Sequence, residues 1–230
     1  MNNADAGHGE IASPSDVVGA ARPWASARVT LWAGALYLLL LLFLVVLRTE
    51  LDPTTTVISE YALGRHGWLM TLGFVLWAVA YASLLVALAP YARGVTGRIG
   101  LVVLAATIVG LLLAAVFQTD PMSTQATVRT VHGRIHEWAA LLAGNLPLAA
   151  IFFSISLPRH AAWRSARRTL WLATAFAWSC DIIFIVWLAS MRDNLNAAPL
   201  GWLGRLSVFG QCTCAMVMAW RAGRLRPVGA

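Results

Sequence analysis

Six long apolar runs alternate with short polar segments along this chain. They cover about Ala27–Leu47, Trp68–Ala89, Ile99–Phe117, Glu137–Leu157, Thr169–Ser190 and Leu200–Trp220. A helix that crosses a bilayer needs roughly 20 mainly apolar residues, so each run is long enough to span. The first, through Leu38–Leu42, is the purest; the last is interrupted by Arg205 and Gln211. No run shows the every-second-residue alternation of a membrane barrel strand. Inside lipid each backbone N–H and C=O must be bonded within its own segment, which selects helices. The pattern predicts an all-α polytopic membrane bundle of six transmembrane helices. Residues 1–26 read as a disordered tail, because Met1–Pro23 is polar and lacks periodicity. Residues 27–221 form the membrane domain, and 222–230 a short second tail. The first run is too long for a cleaved leader, and no small-residue cleavage site follows it.

Composition sharpens this. Hydrophobic residues make up 59% and charged residues 12% of the 230 positions, against about 25% charged in ordinary soluble domains. That excludes a disordered chain and a nucleic-acid-binding tail, even though the net charge is +7. All 17 basic residues are Arg, and they sort by loop. Eleven fall on one side: Arg22, Arg28, Arg93, Arg98, Arg159, Arg164, Arg167, Arg168, Arg221, Arg224 and Arg226. Five fall on the other: Arg48, Arg65, Arg129, Arg134 and Arg192. Cytoplasmic loops carry the excess of basic residues, so both termini are expected in the cytoplasm of a multi-pass cell-membrane protein. Trp24, Trp68, Trp138, Trp163, Trp171, Trp187, Trp202 and Trp220 lie near run ends, where amphipathic rings anchor at the interface. Cys180, Cys212 and Cys214 lie inside runs and read as packing residues.

Glu50, Asp52, Glu60, His66, Asp120, His132, His136 and Glu137 lie in two outward loops, Arg48–Gly67 and Gln118–Glu137. His132 and His136 are spaced i, i+4, which puts both imidazoles on one helix face. That spacing can present two nitrogens to zinc or another divalent metal, with His66 or Asp120 as a third ligand. Ser59, Glu60, Tyr61 or Glu137 could then act on a metal-bound water or a developing oxyanion. The plainer reading makes these His interfacial hydrogen-bonding groups and makes Asp120, followed by Pro121, a helix N-cap. Deeper in the membrane lie Asp181 and Arg205. Their runs are joined by a short loop, and intramembrane charges are usually paired, so an Asp181–Arg205 ion pair is expected.

Four segments carry a family resemblance: ISEYALGRHGWLM (Ile58–Met70), FQTDP (Phe117–Pro121), VHGRIHEWAA (Val131–Ala140) and GWLGR (Gly201–Arg205). Over about Leu31–Arg221 the chain resembles the bacterial and archaeal membrane family known as domain of unknown function 998. The resemblance implies six spans and makes Ser59, Glu60, Tyr61, His66, Asp120, His132 and His136 part of a characteristic polar set. It implies no activity. A weaker likeness of site composition links Ser59, Asp120 and the His132/His136 pair to the CREST-type membrane metallohydrolases. The His pair here falls in the fourth of six runs rather than the last of seven.

Three functions follow. The favoured one is a membrane module that binds a lipid or a membrane-protein partner at its outer face. The alternatives are a metal-dependent hydrolase acting on a lipid-like substrate, and a small proton-coupled transporter using Asp181, Arg205 and the His set. Haem ligation by His66 with His132 or His136 is a minor variant. No phosphate-binding glycine loop or dinucleotide fingerprint occurs.

Overall fold

The computed structural model describes residues 14–124, 126–190 and 199–225. Arg192 and Arg226, two of the arginines used to orient the chain, lie outside the described residues, as do residues 1–13. Among the described residues the chain is helical, with no strand. The helices are α1 (Pro14–Leu47), α2 (Gly67–Leu88), α3 (Gly94–Val116), α4 (Val131–Ala143), α5 (Leu146–Ser156), α6 (Arg167–Ser190) and α7 (Leu200–Gly223). Short 3-10 turns, among them Ile58–Ala62, Leu157–Arg159 and Ala161–Ala166, fill the connections.

Among the described residues, five segments are long and apolar enough to cross a membrane: Pro23–Leu47, Gly67–Leu88, Gly94–Val116, Val131–Arg159 and Ala161–Ser190. Their outward faces invert the soluble pattern. Leu39 is 62% exposed, Val46 74% and Leu172 71%, each within a helix rather than in a loop. Contiguous apolar faces of this kind are stable only against lipid or a partner.

Two elements depart from expectation. The helical backbone begins at Pro14, so Pro14–Pro23, read as part of an irregular tail, continues α1 instead. Pro23 has no N–H to offer its own turn, and the apolar span begins there. The fourth run is two helices rather than one. α4 ends at Gly144, and α5 starts after Asn145 with Pro147 in its first turn. Pro147 cannot donate to the Ala143 carbonyl, which ends the ladder there. Asn145 supplies part of the replacement: its Nδ2 donates to the Leu141 and Leu142 carbonyls at 2.6 and 3.1 Å. From α6, the Trp178 indole N–H donates to the Pro147 carbonyl at 3.0 Å.

α1 packs along α2 and α7, α6 along α7, and α3 lies against α2, α4 and α5. The core is mostly Ala, Leu and aromatic side chains, with Tyr37, Tyr81, Phe153 and Trp163 fully enclosed. Trp163 therefore departs from the interfacial set. It is 0% exposed and packs edge-on to Tyr91, whereas Trp24, Trp68, Trp138 and Trp220 stay exposed. The three cysteines are buried and free.

Candidate functional site

At one end of the bundle the loops 48–66 and 117–130 meet, and the charged residues there tie backbone together. Arg48 is 5% exposed; it donates to the Tyr61 and Leu63 carbonyls at 3.2 and 3.0 Å and pairs with Glu50. That hydrogen bond from Arg48 holds the Glu50 carboxyl below its ordinary range. Glu60 accepts from Val57 N at 3.2 Å in its own loop and from Met122 N at 2.9 Å in the other. Burial pushes the Tyr61 phenol up, and its hydroxyl has no partner among the described residues.

Asp120 does not start a helix at Pro121. Its Oδ2 and Oδ1 instead accept from Thr130 N and Oγ1 at 2.7 and 3.0 Å. Thr130 in turn caps α4 by accepting from Gly133 N at 3.0 Å. A Cβ at Gly133 would lie 2.1 Å from Asp120 Oδ2, so the glycine makes room for the carboxylate at the helix start. The TDP and VHG segments are thus two halves of one capping device.

The expected metal ligands stay apart. No group of three His, Cys, Asp or Glu able to hold a metal occurs among the described residues. His136 is buried, and its Nδ1–H donates to the Phe117 carbonyl at 2.7 Å. His132, one turn earlier, is exposed and packs edge-on to Phe117. His66 occupies a left-handed position at the start of α2, φ 67°. Glu137 pairs with Arg129. The likeness of Ser59, Asp120 and the His pair to a CREST-type site is not shown by these contacts.

Asp181 and Arg205 also do not pair. Arg205 Nη1 turns to the loop and donates to the Pro53, Thr56 and Gly201 carbonyls at 3.0, 3.1 and 2.8 Å. Its guanidinium lies 5.0 Å from the Tyr61 ring centre and 5.5 Å from that of Trp202. Gly201 permits this approach, since a Cβ there would meet the Pro53 oxygen at 2.3 Å. The carbonyl cluster gives the cation a nearer partner than a carboxylate on the next helix.

Asp181, 8% exposed, faces a different environment. Its Oδ1 accepts from Ser207 Oγ and, at 3.1 Å, from Gln211 Nε2. Asp181 Oδ2 takes no hydrogen bond among the described residues. Gln211 Oε1 and Trp77 Nε1 are buried without a partner there. This group lines a cavity of about 460 Å³ between α2, the α4–α5 break, α6 and α7. Phe74, Leu141, Leu148, Phe184, Ile185 and Leu188 make its walls apolar. Val57, Ile58 and Ser59 stand at the polar-loop end, and Gly144, Asn145 and Pro147 line it where the fourth span is broken. Non-helical backbone at membrane depth is tolerated where it is buried or lines a cavity, and here it does the latter.

The depth follows from helix rise. Gly201 N donates to Thr54 O at 2.9 Å, fixing the start of α7 at the loops. Gln211 lies ten residues further on, so the polar group sits about 15 Å along the helix from the loops. Leu141 and Ile185 at the wall are 66% and 50% exposed, so the cavity opens sideways toward lipid as well.

Sequence reasoning named Asp181 but missed Trp77, Asn145 and Ser207, and took Gln211 only as a blemish in the last span. The available signal was GNLP, Gly144–Pro147, inside an apolar run. A breaker with an amide beside it marks a helix that interrupts itself.

No curated protein and no solved structure matches the chain. A family model does, that of a protein of unknown function (DUF998), over residues 31–221. This range runs from within α1 to the last turn of α7 and holds both stapled loops and the cavity, and by it the chain belongs to the DUF998 family of proteins of unknown function.

Proposed function

We propose that this protein is a six-span membrane module, with both termini in the cytoplasm, that binds a lipid-like amphiphile in the cavity beside the α4–α5 break. The observation that carries this is a buried polar group, Asp181, Ser207 and Gln211, with spare hydrogen-bonding capacity in the wall of an otherwise apolar chamber. Asp181 has no cation beside it among the described residues, and the unpartnered acceptor on Gln211 adds to the cost of leaving the site dry. A ligand that brings a hydrogen-bond donor to Asp181 and Gln211, with an apolar body along Leu148 and Ile185, offsets that cost. The volume falls within the roughly 300–1,000 Å³ of small-molecule sites.

The test fills the chamber without straining the fold. Gly144 has φ −76°, and a Cβ there would meet only the Ala140 oxygen, at 3.7 Å. Wild type and Gly144→Leu are purified into nanodiscs of one defined lipid, and bound molecules are extracted and identified by mass spectrometry. Wild type retains an amphiphile in near-stoichiometric amount, and Gly144→Leu loses it. Identical extracts, both containing only the bulk lipid, would sink the reading.

A further inference from the structure

The opposite end of the bundle carries a second cavity, independent of the first. It measures about 510 Å³ and lies where α5 ends and α6 begins. Arg159, Arg164 and Arg167 converge on it, with Ile155 and Trp171 beside them. Positive residues at a cytoplasmic surface serve topology, but topology requires no convergence on one concavity.

The platform under these arginines is fixed. Trp163 is fully buried and packs 5.7 Å from Tyr91, which pins the Ala161–Ala166 turn that bears Arg164. Arg221 holds the same turn through the Ala162 carbonyl and Ser165 Oγ. Arg159 Nη1 donates to Thr96 Oγ1 at 3.0 Å, which sets its direction. The Arg164 and Arg167 guanidiniums have no hydrogen bond or ion pair among the described residues; the two residues bond each other only through backbone. No Asp or Glu occurs between Glu137 and Asp181, so no neighbouring acid in that stretch neutralises the three guanidiniums.

The surroundings specify the kind of anion. Ile155 is 37% exposed and Trp171 39%, both on the lipid-facing side next to the charges. Arginine forks suit phosphate oxygens, and basic pockets between helices at this membrane depth suit phosphate headgroups. We infer that this cavity binds the phosphate of an anionic phospholipid from the arginine-side leaflet, with its acyl chains descending along Ile155 and Trp171.

The test uses the full chain in nanodiscs containing phosphatidylglycerol in a phosphatidylcholine background. Native mass spectrometry reads the enrichment of phosphatidylglycerol among retained lipids. Each arginine near the surface contributes about a fivefold preference, so Arg164→Gln/Arg167→Gln should lower the enrichment by about 25-fold at most. The control is Arg93→Gln/Arg224→Gln, which removes the same charge at the same end outside the cavity. Retained enrichment in the control, with loss in the cavity variant, supports the site. Equal loss in both reduces it to diffuse surface attraction and overturns it. Displacement of phosphatidylglycerol by millimolar inorganic phosphate would also overturn it, because the site would then read phosphate without a lipid.

Discussion

At the residue scale, Glu60, Asp120 and Arg205 bond the backbone of the two loops. Arg205 illustrates the energetics. Removing its guanidinium leaves the Pro53 and Thr56 carbonyls short of a donor, so Arg205→Leu should lower stability by about 1–3 kcal/mol. Its independence from Asp181 is separately measurable. A double-mutant cycle of Arg205→Leu with Asp181→Asn, followed by thermal unfolding in detergent, should give a coupling below about 0.5 kcal/mol. A coupling of several times that would restore the ion pair. Gly133→Ala drives a methyl into the Asp120 carboxylate and should cost about 1–3 kcal/mol. In an Asp120→Ala background, where the obstacle is gone, the same change should cost much less. Residue types and their gathering at one end were legible from sequence. Their partners were not, because Asp120 meets Thr130 and Arg205 meets Pro53 only after the loops close.

At the element scale, the span positions were readable because each is a long apolar run, and hydropathy averages tolerate small errors of boundary. The break in the fourth span was not, since an average over Leu141–Ala150 stays apolar while the hydrogen-bond ladder fails. Asn145 and Pro147 act together there. Asn145→Ala alone removes the amide that serves the Leu141 and Leu142 carbonyls and should cost about 1 kcal/mol. Adding Pro147→Ala restores a donor for the Ala143 carbonyl and lets one helix run through. The double variant should regain the lost stability while narrowing the chamber, so bound amphiphile falls as the melting temperature recovers. If stability falls additively with the second change, the break is not held by these two residues.

At the scale of the whole molecule, the question is whether α7 crosses. Its average composition falls short of the five evident spans, yet that average mixes two faces. Ser207, Gln211 and Cys214 point inward and are buried, whereas Trp202, Phe209 and Trp220 are 45%, 48% and 43% exposed. Arg205 spends its charge on loop carbonyls at the end of the helix, so the lipid-facing side stays apolar. A helix with its polar stripe turned into the bundle can cross despite a modest mean, because lipid meets only the outer face. α7 is also flanked by α6 and α1, both evident spans, and has 24 residues, enough for about 36 Å. The six-span topology proposed above puts the two termini on one side, and the positive-inside rule then assigns that side, with its arginine excess, to the cytoplasm. Fusing a reporter that fluoresces only in the cytoplasm to the C-terminus should give full signal, as should the same reporter at the N-terminus. Single cysteines at Thr55 and Ser123, in a background lacking Cys180, Cys212 and Cys214, should react with a membrane-impermeant maleimide on intact cells. A silent C-terminal reporter beside a bright N-terminal one would mean that the chain crosses an odd number of times and that α7 lies outside the set of spans.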